Sequence, residues 1–249
     1  MTNKNRSLGI ILTRREALTL FRAATTAIFV VGCIPKKSAS APLSAVKSTT
    51  KPACIVSPQQ TEGPYFVDEK LNRSDIRADP ADGSVKQGVP LQLTLHISHV
   101  GSNGCTPLAG AIVDVWHCDA LGVYSDVTDR NFSTVGKKFL RGYQVTDAGG
   151  NVQFTTIYPG WYPGRTVHIH FKVRTGTSGQ GYEFTSQLYF DDAMSDRIYS
   201  QAPYNSQRQR RLKNADDGIF QDGGEQMLLK LTQNGQGYAA TFDVGLQIA

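Results

Sequence analysis

The sequence predicts an all-β protein, an antiparallel β-sandwich with long loops and little helix, preceded by an export signal. Three observations carry the prediction. Short runs of alternating apolar and polar residues recur from position 91 onward, Gly, Pro and Asp turn signals separate them, and the best helical candidate, residues 193–200, is short and polar. Alternation at period two places every second side chain on one face of a strand. Many short strands joined by tight turns favour two packed antiparallel sheets.

The elements follow in chain order. Residues 1–32 read as an address: basic residues including the pair Arg14 and Arg15 lead into the apolar run 23–31, which ends at Gly32 and Cys33. That run is shorter than the roughly 20 apolar residues a bilayer span needs. Thr13-Arg14-Arg15-Glu16-Ala17-Leu18 resembles a twin-arginine signal, and Val30-Val31-Gly32-Cys33 resembles a lipobox that would make Cys33 the lipidated first residue of a periplasmic or cell-envelope lipoprotein. Residues 33–51, rich in Lys, Ser, Ala, Thr and Pro, read as a flexible tether. The folded domain is expected over residues 52–249. Within it, LQLTLHI at 91–97, AIVDVWH at 111–117, GNVQFTT at 150–156, VHIHFKV at 167–173, TSQLYF at 185–190 and YAATFDV at 238–244 are the six expected strands.

The formal charge of +5 sits mostly outside that body. Residues 1–32 hold Lys4, Arg6, Arg14, Arg15 and Arg22 against Glu16, so the remainder carries 21 basic and 20 acidic residues, which gives no electrostatic case for nucleic acid. The basic run 208–213 reads as a solvated face. Beyond Cys33, an exported chain would offer Cys54, Cys105 and Cys118 for one disulfide with one thiol left over, the pairing open. Neither a Cys-x-x-Cys zinc spacing nor a Gly-x-Ser-x-Gly elbow occurs.

Chemistry concentrates in His168-Ile169-His170. At i and i+2 on a strand both imidazoles face one way, available to a single metal ion, while Ile169 turns into the opposite layer. Upstream lie Tyr158-Pro159-Gly160-Trp161-Tyr162-Pro163-Gly164-Arg165 and, earlier, Trp116-His117-Cys118-Asp119-Ala120-Leu121-Gly122-Val123-Tyr124. Together with Thr61-Glu62-Gly63-Pro64-Tyr65-Phe66 and Gln187-Leu188-Tyr189-Phe190, these pieces resemble the intradiol ring-cleavage dioxygenases of catechol, protocatechuate and hydroxyquinol. His117-Cys118 looks like the secreted branch of that family.

The resemblance implies one non-haem iron(III) ion per chain, held by Tyr124, Tyr162, His168 and His170. It implies Arg165 and Gln187 as catalytic and substrate-binding groups, Tyr162 as a ligand that also acts in the reaction, and Tyr65 as a substrate contact. The partners implied are a small aromatic diol and O2, with no nucleic acid, membrane attachment only through Cys33, and a homo-oligomer left open. The donor set makes physical sense by itself: ferric iron is a hard cation that favours anionic oxygen with imidazole as a compatible partner, and a phenol of pKa ~10 gives up its proton on coordination.

Tyr158 is a rival to Tyr162 as ligand. Trp116 reads as core, His96 and His99 as structural, and His117 as structural with a role beside the ligands as its alternative. Competing functions are an Fe(II) extradiol-type oxygenase using two histidines and a carboxylate from Asp119 or Asp126, and a non-catalytic exported β-sandwich binding module.

Overall fold

A computed structural model describes residues 55–130, 132–176, 181–206 and 212–248. The export segment, the tether, the domain start at 52, Cys54 and most of the basic run 208–213 lie outside the described residues.

Nine strands are described: β1 Pro90–Gly101, β2 Gly104–Pro107, β3 Ile112–Trp116, β4 Arg141–Val145, β5 Asn151–Ile157, β6 His168–Arg174, β7 Glu183–Tyr189, β8 Thr232–Asn234 and β9 Gly237–Leu246. Two helices join them, α1 Asp192–Tyr199 and the single turn α2 Gly218–Gln221, with three short 3₁₀ turns. One sheet runs β2-β1-β9-β8 with β5 also on β1; the other runs β4-β3-β6-β7. All six expected strands are present, and the expected helix is α1, whose first turn is capped by Asp191 Oδ1 accepting from Met194 N at 2.8 Å. Among the described strands pairing is antiparallel except between β1 and β9, which run parallel.

The core lies between the sheets. Leu91, Leu93, Leu95 and Ile97 of β1 are buried, and Val113, Val115, Ile169, Phe171, Val173 and Leu188 face them from the second sheet. Burying four such aliphatic side chains is worth on the order of 6–12 kcal/mol relative to exposing them. A one-residue slip of β1 would turn Gln92, Thr94 and His96 inward instead, so the alternation fixes its register.

The turn from β4 to β5 is fixed by Asp147, whose Oδ1 accepts from Gly149 N and Asn151 N at 2.8 Å each. Gly150 there has φ 76°, and a Cβ on it would lie 2.3 Å from Ile97 O, so both conformation and space require glycine.

The outer face of the second sheet matters for function. Strand β6 is buried on both faces: Ile169, Phe171 and Val173 meet the core, while His168 and His170 point the other way and are also buried. The register puts Arg141 opposite Trp116, Trp116 opposite His170, and His170 opposite Gln187. These four form one row across β4, β3, β6 and β7, and His168 lies two residues along, opposite Tyr189.

Candidate metal centre

Both histidines are set by the strand, but their rings are held differently. His168 Nδ1 donates to Thr166 O at 2.7 Å, which leaves the Nε2 lone pair free in the neutral ring. His170 Nδ1 is buried without a hydrogen-bond partner. Its imidazole lies against the Trp116 indole, with ring centroids 4.9 Å apart and planes 6° from parallel. Trp116 therefore packs directly on the site, in an aromatic cluster with Cys118 and Tyr124. The reading of it as plain core is incomplete.

Tyr124 follows a turn built by Asp119, whose Oδ1 accepts from Leu121 N and Val123 N and whose Oδ2 takes Lys86 Nζ at 2.8 Å. Beyond it, Ser125 Oγ donates to Phe139 O at 2.6 Å and accepts from Arg141 Nε at 2.9 Å. Tyr124 is thus pinned from both sides along the chain, and its buried Oη has no hydrogen-bond partner.

The loop carrying Tyr162 is stitched to that turn: Gly160 N donates to Asp119 O at 3.0 Å, and a Cβ on Gly160 would meet that oxygen at 2.5 Å. Tyr158, the rival ligand, points into the core, its hydroxyl paired with Ser195 Oγ at 2.7 Å.

Three donor atoms face one another, and the Tyr124 ring packs beside them. His168 Nε2 and His170 Nε2 are 3.0 Å apart, Tyr162 Oη is 3.3 Å from His168 Nε2, and the Tyr124 ring centroid lies 5.6 Å from that of Tyr162 and 6.4 Å from that of His170. The two Nε2 atoms, on one face of β6 and 3.0 Å apart, are close enough that one ion could be held by both. Burial, then the Arg165 charge, pushes His168 down to about 3; burial, then His168, holds His170 well below the ordinary histidine range. Burial also pushes both tyrosine hydroxyls up. With no ion, all four side chains are neutral. Two neutral imidazoles and two phenols, one of them orphaned, fit a hard trivalent cation that would convert the phenols to anionic donors.

Arg165 sits beside them. Its Nε donates to Asp217 Oδ2 at 2.9 Å, its Nη2 to Gln187 Oε1 at 2.6 Å, and its Nη1 is 3.5 Å from His168 Nε2. Gln187 is itself held, with Nε2 donating to Thr61 O at 2.9 Å and Oε1 also accepting from Tyr189 Oη at 3.2 Å. Tyr65 stacks on Tyr124 at 4.5 Å and donates from its hydroxyl to Asp129 Oδ2 at 2.8 Å. Burial and Asp129 raise the Tyr65 hydroxyl to about 12. A pocket of about 770 Å³ opens on this side, lined by Tyr65, Leu121, Val123, Phe132, Trp161 and Tyr162 among others.

Asp217 did not stand out in the sequence, although Asp-Gly before an apolar pair is a cap-like signal. Its buried carboxylate accepts from Arg165 Nε and Thr166 N through Oδ2, and from Ile219 N and Phe220 N through Oδ1.

His117 is buried, one ring nitrogen against Cys118 O and the other against Thr156 Oγ1, so both its polar atoms are spent on structural bonds. His96 pairs with Asp243 at the surface. Among the described residues no group of three His, Cys, Asp or Glu is poised for a metal. Asp119 is spent on its turn and Lys86, and Asp126 accepts from Gly136 N, so neither completes a two-histidine, one-carboxylate site.

The family described as Dioxygenase matches residues 61–229. Among solved structures, an intradiol ring-cleavage dioxygenase from Tetranychus urticae is 34% identical, covering 78% of this chain and 95% of that one with a TM-score of 0.67. The dioxygenase domain of a dioxygenase and carbohydrate-binding protein fusion from Streptomyces sp. SirexAA-E is 29% identical, covering 78% and 100% with a TM-score of 0.56. Among curated proteins, the protocatechuate 3,4-dioxygenase beta chain of Burkholderia cepacia is 32% identical over 121 residues, 45% of this chain and 51% of that one. Chlorocatechol 1,2-dioxygenase of Pseudomonas putida is 34% identical over 103 residues, 34% of this chain and 36% of that one. The matches to these two curated relatives span about half of their length or less.

Proposed function

The chain belongs to the dioxygenase family, and on that premise we propose that it is an exported non-haem iron(III) enzyme that inserts both atoms of O2 between the two hydroxyl-bearing carbons of a catechol-type diol, yielding a cis,cis-muconate-type acid. One observation carries the reading: two imidazole nitrogens lie 3.0 Å apart with the Tyr162 hydroxyl 3.3 Å from one of them, and the Tyr124 ring packs edge-on against Tyr162 and beside His170, the four side chains coming from three separate segments. Bound there, ferric iron would withdraw electron density from a chelated diol and expose its ring to attack by O2.

The side chains divide the remaining work. Tyr162, half-buried on its Pro/Gly loop at the pocket wall, is placed to take a proton at Oη from an incoming diol hydroxyl. Tyr124, fully enclosed, serves as the fixed oxygen donor. Arg165 supplies positive charge where the substrate gains negative charge, with Asp217 and Gln187 fixing its guanidinium so that Nη1 faces the centre. Gln187 acts through Arg165, because its carbonyl oxygen is already taken by Arg165 and Tyr189. The aromatic and aliphatic side chains among the pocket lining, from Tyr65 to Trp161, suit a flat ring.

The test is anaerobic addition of a panel of catechols to the purified, iron-loaded chain. A shifted visible charge-transfer band, then a muconate-type acid once O2 is admitted, is the expected result; a semialdehyde product would move the enzyme to the extradiol class, and a colourless protein that takes up no iron would leave only a binding module. Export is part of the same proposal. It is supported by Cys105, which is disulfide-bonded, while Cys118 is free, the pattern of an oxidising compartment. Mass spectrometry of the mature N-terminus would show cleavage before a lipidated Cys33.

A further inference from the structure

Behind the row of side chains that carries His170 lies a small cleft. Three buried polar atoms have no hydrogen-bond partner there, Glu69 Oε1, Trp116 Nε1 and Arg141 Nη1, and all three residues line one cavity of about 10 Å³. A single ordered water needs about 10–15 Å³ and two to four polar partners. The chemistry is complementary: two N–H donors and one carboxylate oxygen match the lone pairs and one hydrogen of a water. Leaving three such groups buried and unsatisfied would cost about 1–3 kcal/mol each.

We propose that Glu69, Trp116 and Arg141 form a binding site for one water molecule that positions the metal centre. The water accepts from Trp116 Nε1 and Arg141 Nη1 and donates to Glu69 Oε1. Its effect reaches the centre by two routes. Trp116 is the stacked partner of His170, whose Nδ1 has no hydrogen bond of its own, so fixing the indole fixes the plane of that imidazole. Arg141 grips Ser125 through Nε and Nη2, which anchors the residue after Tyr124. Glu69 is steadied by Lys138 on its other oxygen. An anion is a poorer occupant, because the Glu69 carboxylate faces it.

The proposal rests on the iron reading for its effect but not for the site, so the two are tested separately. A high-resolution crystal structure of the full chain is expected to show one density peak within hydrogen-bond distance of all three atoms, with or without iron; a direct Arg141 to Glu69 contact with nothing between would overturn the site. Glu69→Met then removes the acceptor at similar volume. In the iron-loaded chain it is expected to weaken iron retention about 10-fold and to shift the tyrosinate charge-transfer band, with Glu69→Gln restoring both by returning an oxygen acceptor. A Glu69→Met protein with lowered Tm but unchanged band and iron affinity would overturn the positioning role.

Discussion

Replacing Asp217 with Asn separates the architecture of the site from its chemistry. The Asp217 side chain is 1% exposed, and its two oxygens accept four hydrogen bonds, from Arg165 Nε, Thr166 N, Ile219 N and Phe220 N. Asparagine has one acceptor oxygen, so its amide nitrogen must face two donors, and the Arg165 charge loses its compensating partner. Breaking a buried ion pair from one side costs about 3–5 kcal/mol, which for a folded body of this size lowers Tm by roughly 6–20 °C. Arg165 keeps its bond to Gln187, so the guanidinium is loosened rather than lost, and a displacement of about 1 Å at such a group costs about 100-fold in rate. Differential scanning calorimetry and steady-state kinetics on enzyme matched for iron content give both quantities. A Tm drop with unchanged kcat/KM would refute the idea that Asp217 works through Arg165, and no change in either would refute the ion-pair reasoning.

Two further outcomes follow from neighbouring groups. Tyr124→Phe is expected to weaken iron binding and shift the visible band, whereas Tyr158→Phe, which removes only the hydroxyl bonded to Ser195 in the core, should keep the band and cost about 1 kcal/mol of stability; iron retention and absorbance decide, and an unchanged band with unchanged iron retention in the Tyr124 variant would unseat that ligand. Burial lowers His117 to about 4, so below an unfolded value of about 6.5 the unfolded chain binds the proton more readily and stability falls with pH until about 4, by on the order of 3 kcal/mol; Gln at position 117 should flatten that slope in urea titrations, and an unaltered slope would show that other groups set it.

Much of the site was legible because strands encode their faces directly. His168 and His170 share a face by period two, and their appearance on one buried side of β6 needed no tertiary information. The tyrosines were legible only through the family pattern, since nothing local distinguishes Tyr162 from Tyr158, four residues away in the same Pro/Gly loop. Packing separates them: one faces the histidines and the other Ser195. The strands that escaped notice share a cause. Strand β4 reads Arg-Gly-Tyr-Gln-Val at the edge of its sheet, β2 is the short Gly-Cys-Thr-Pro and β8 is exposed along its length, so none of the three carries a clean alternation. Asp217 escaped because a carboxylate at a helix start is ordinary, and its value lies in a bond to a residue 52 positions earlier.

From the sequence alone came the sandwich, the register-setting alternation of β1 and the histidine pair, because burial patterns of single strands are written in local order. The convergence of Tyr124 and Tyr162 on those histidines, the grip of Asp217 and Gln187 on Arg165, and the cross-sheet row from Arg141 through Trp116 to His170 exist only once the chain has folded. The reason is that strand order and register, which no single segment contains, decide which side chains stand opposite one another.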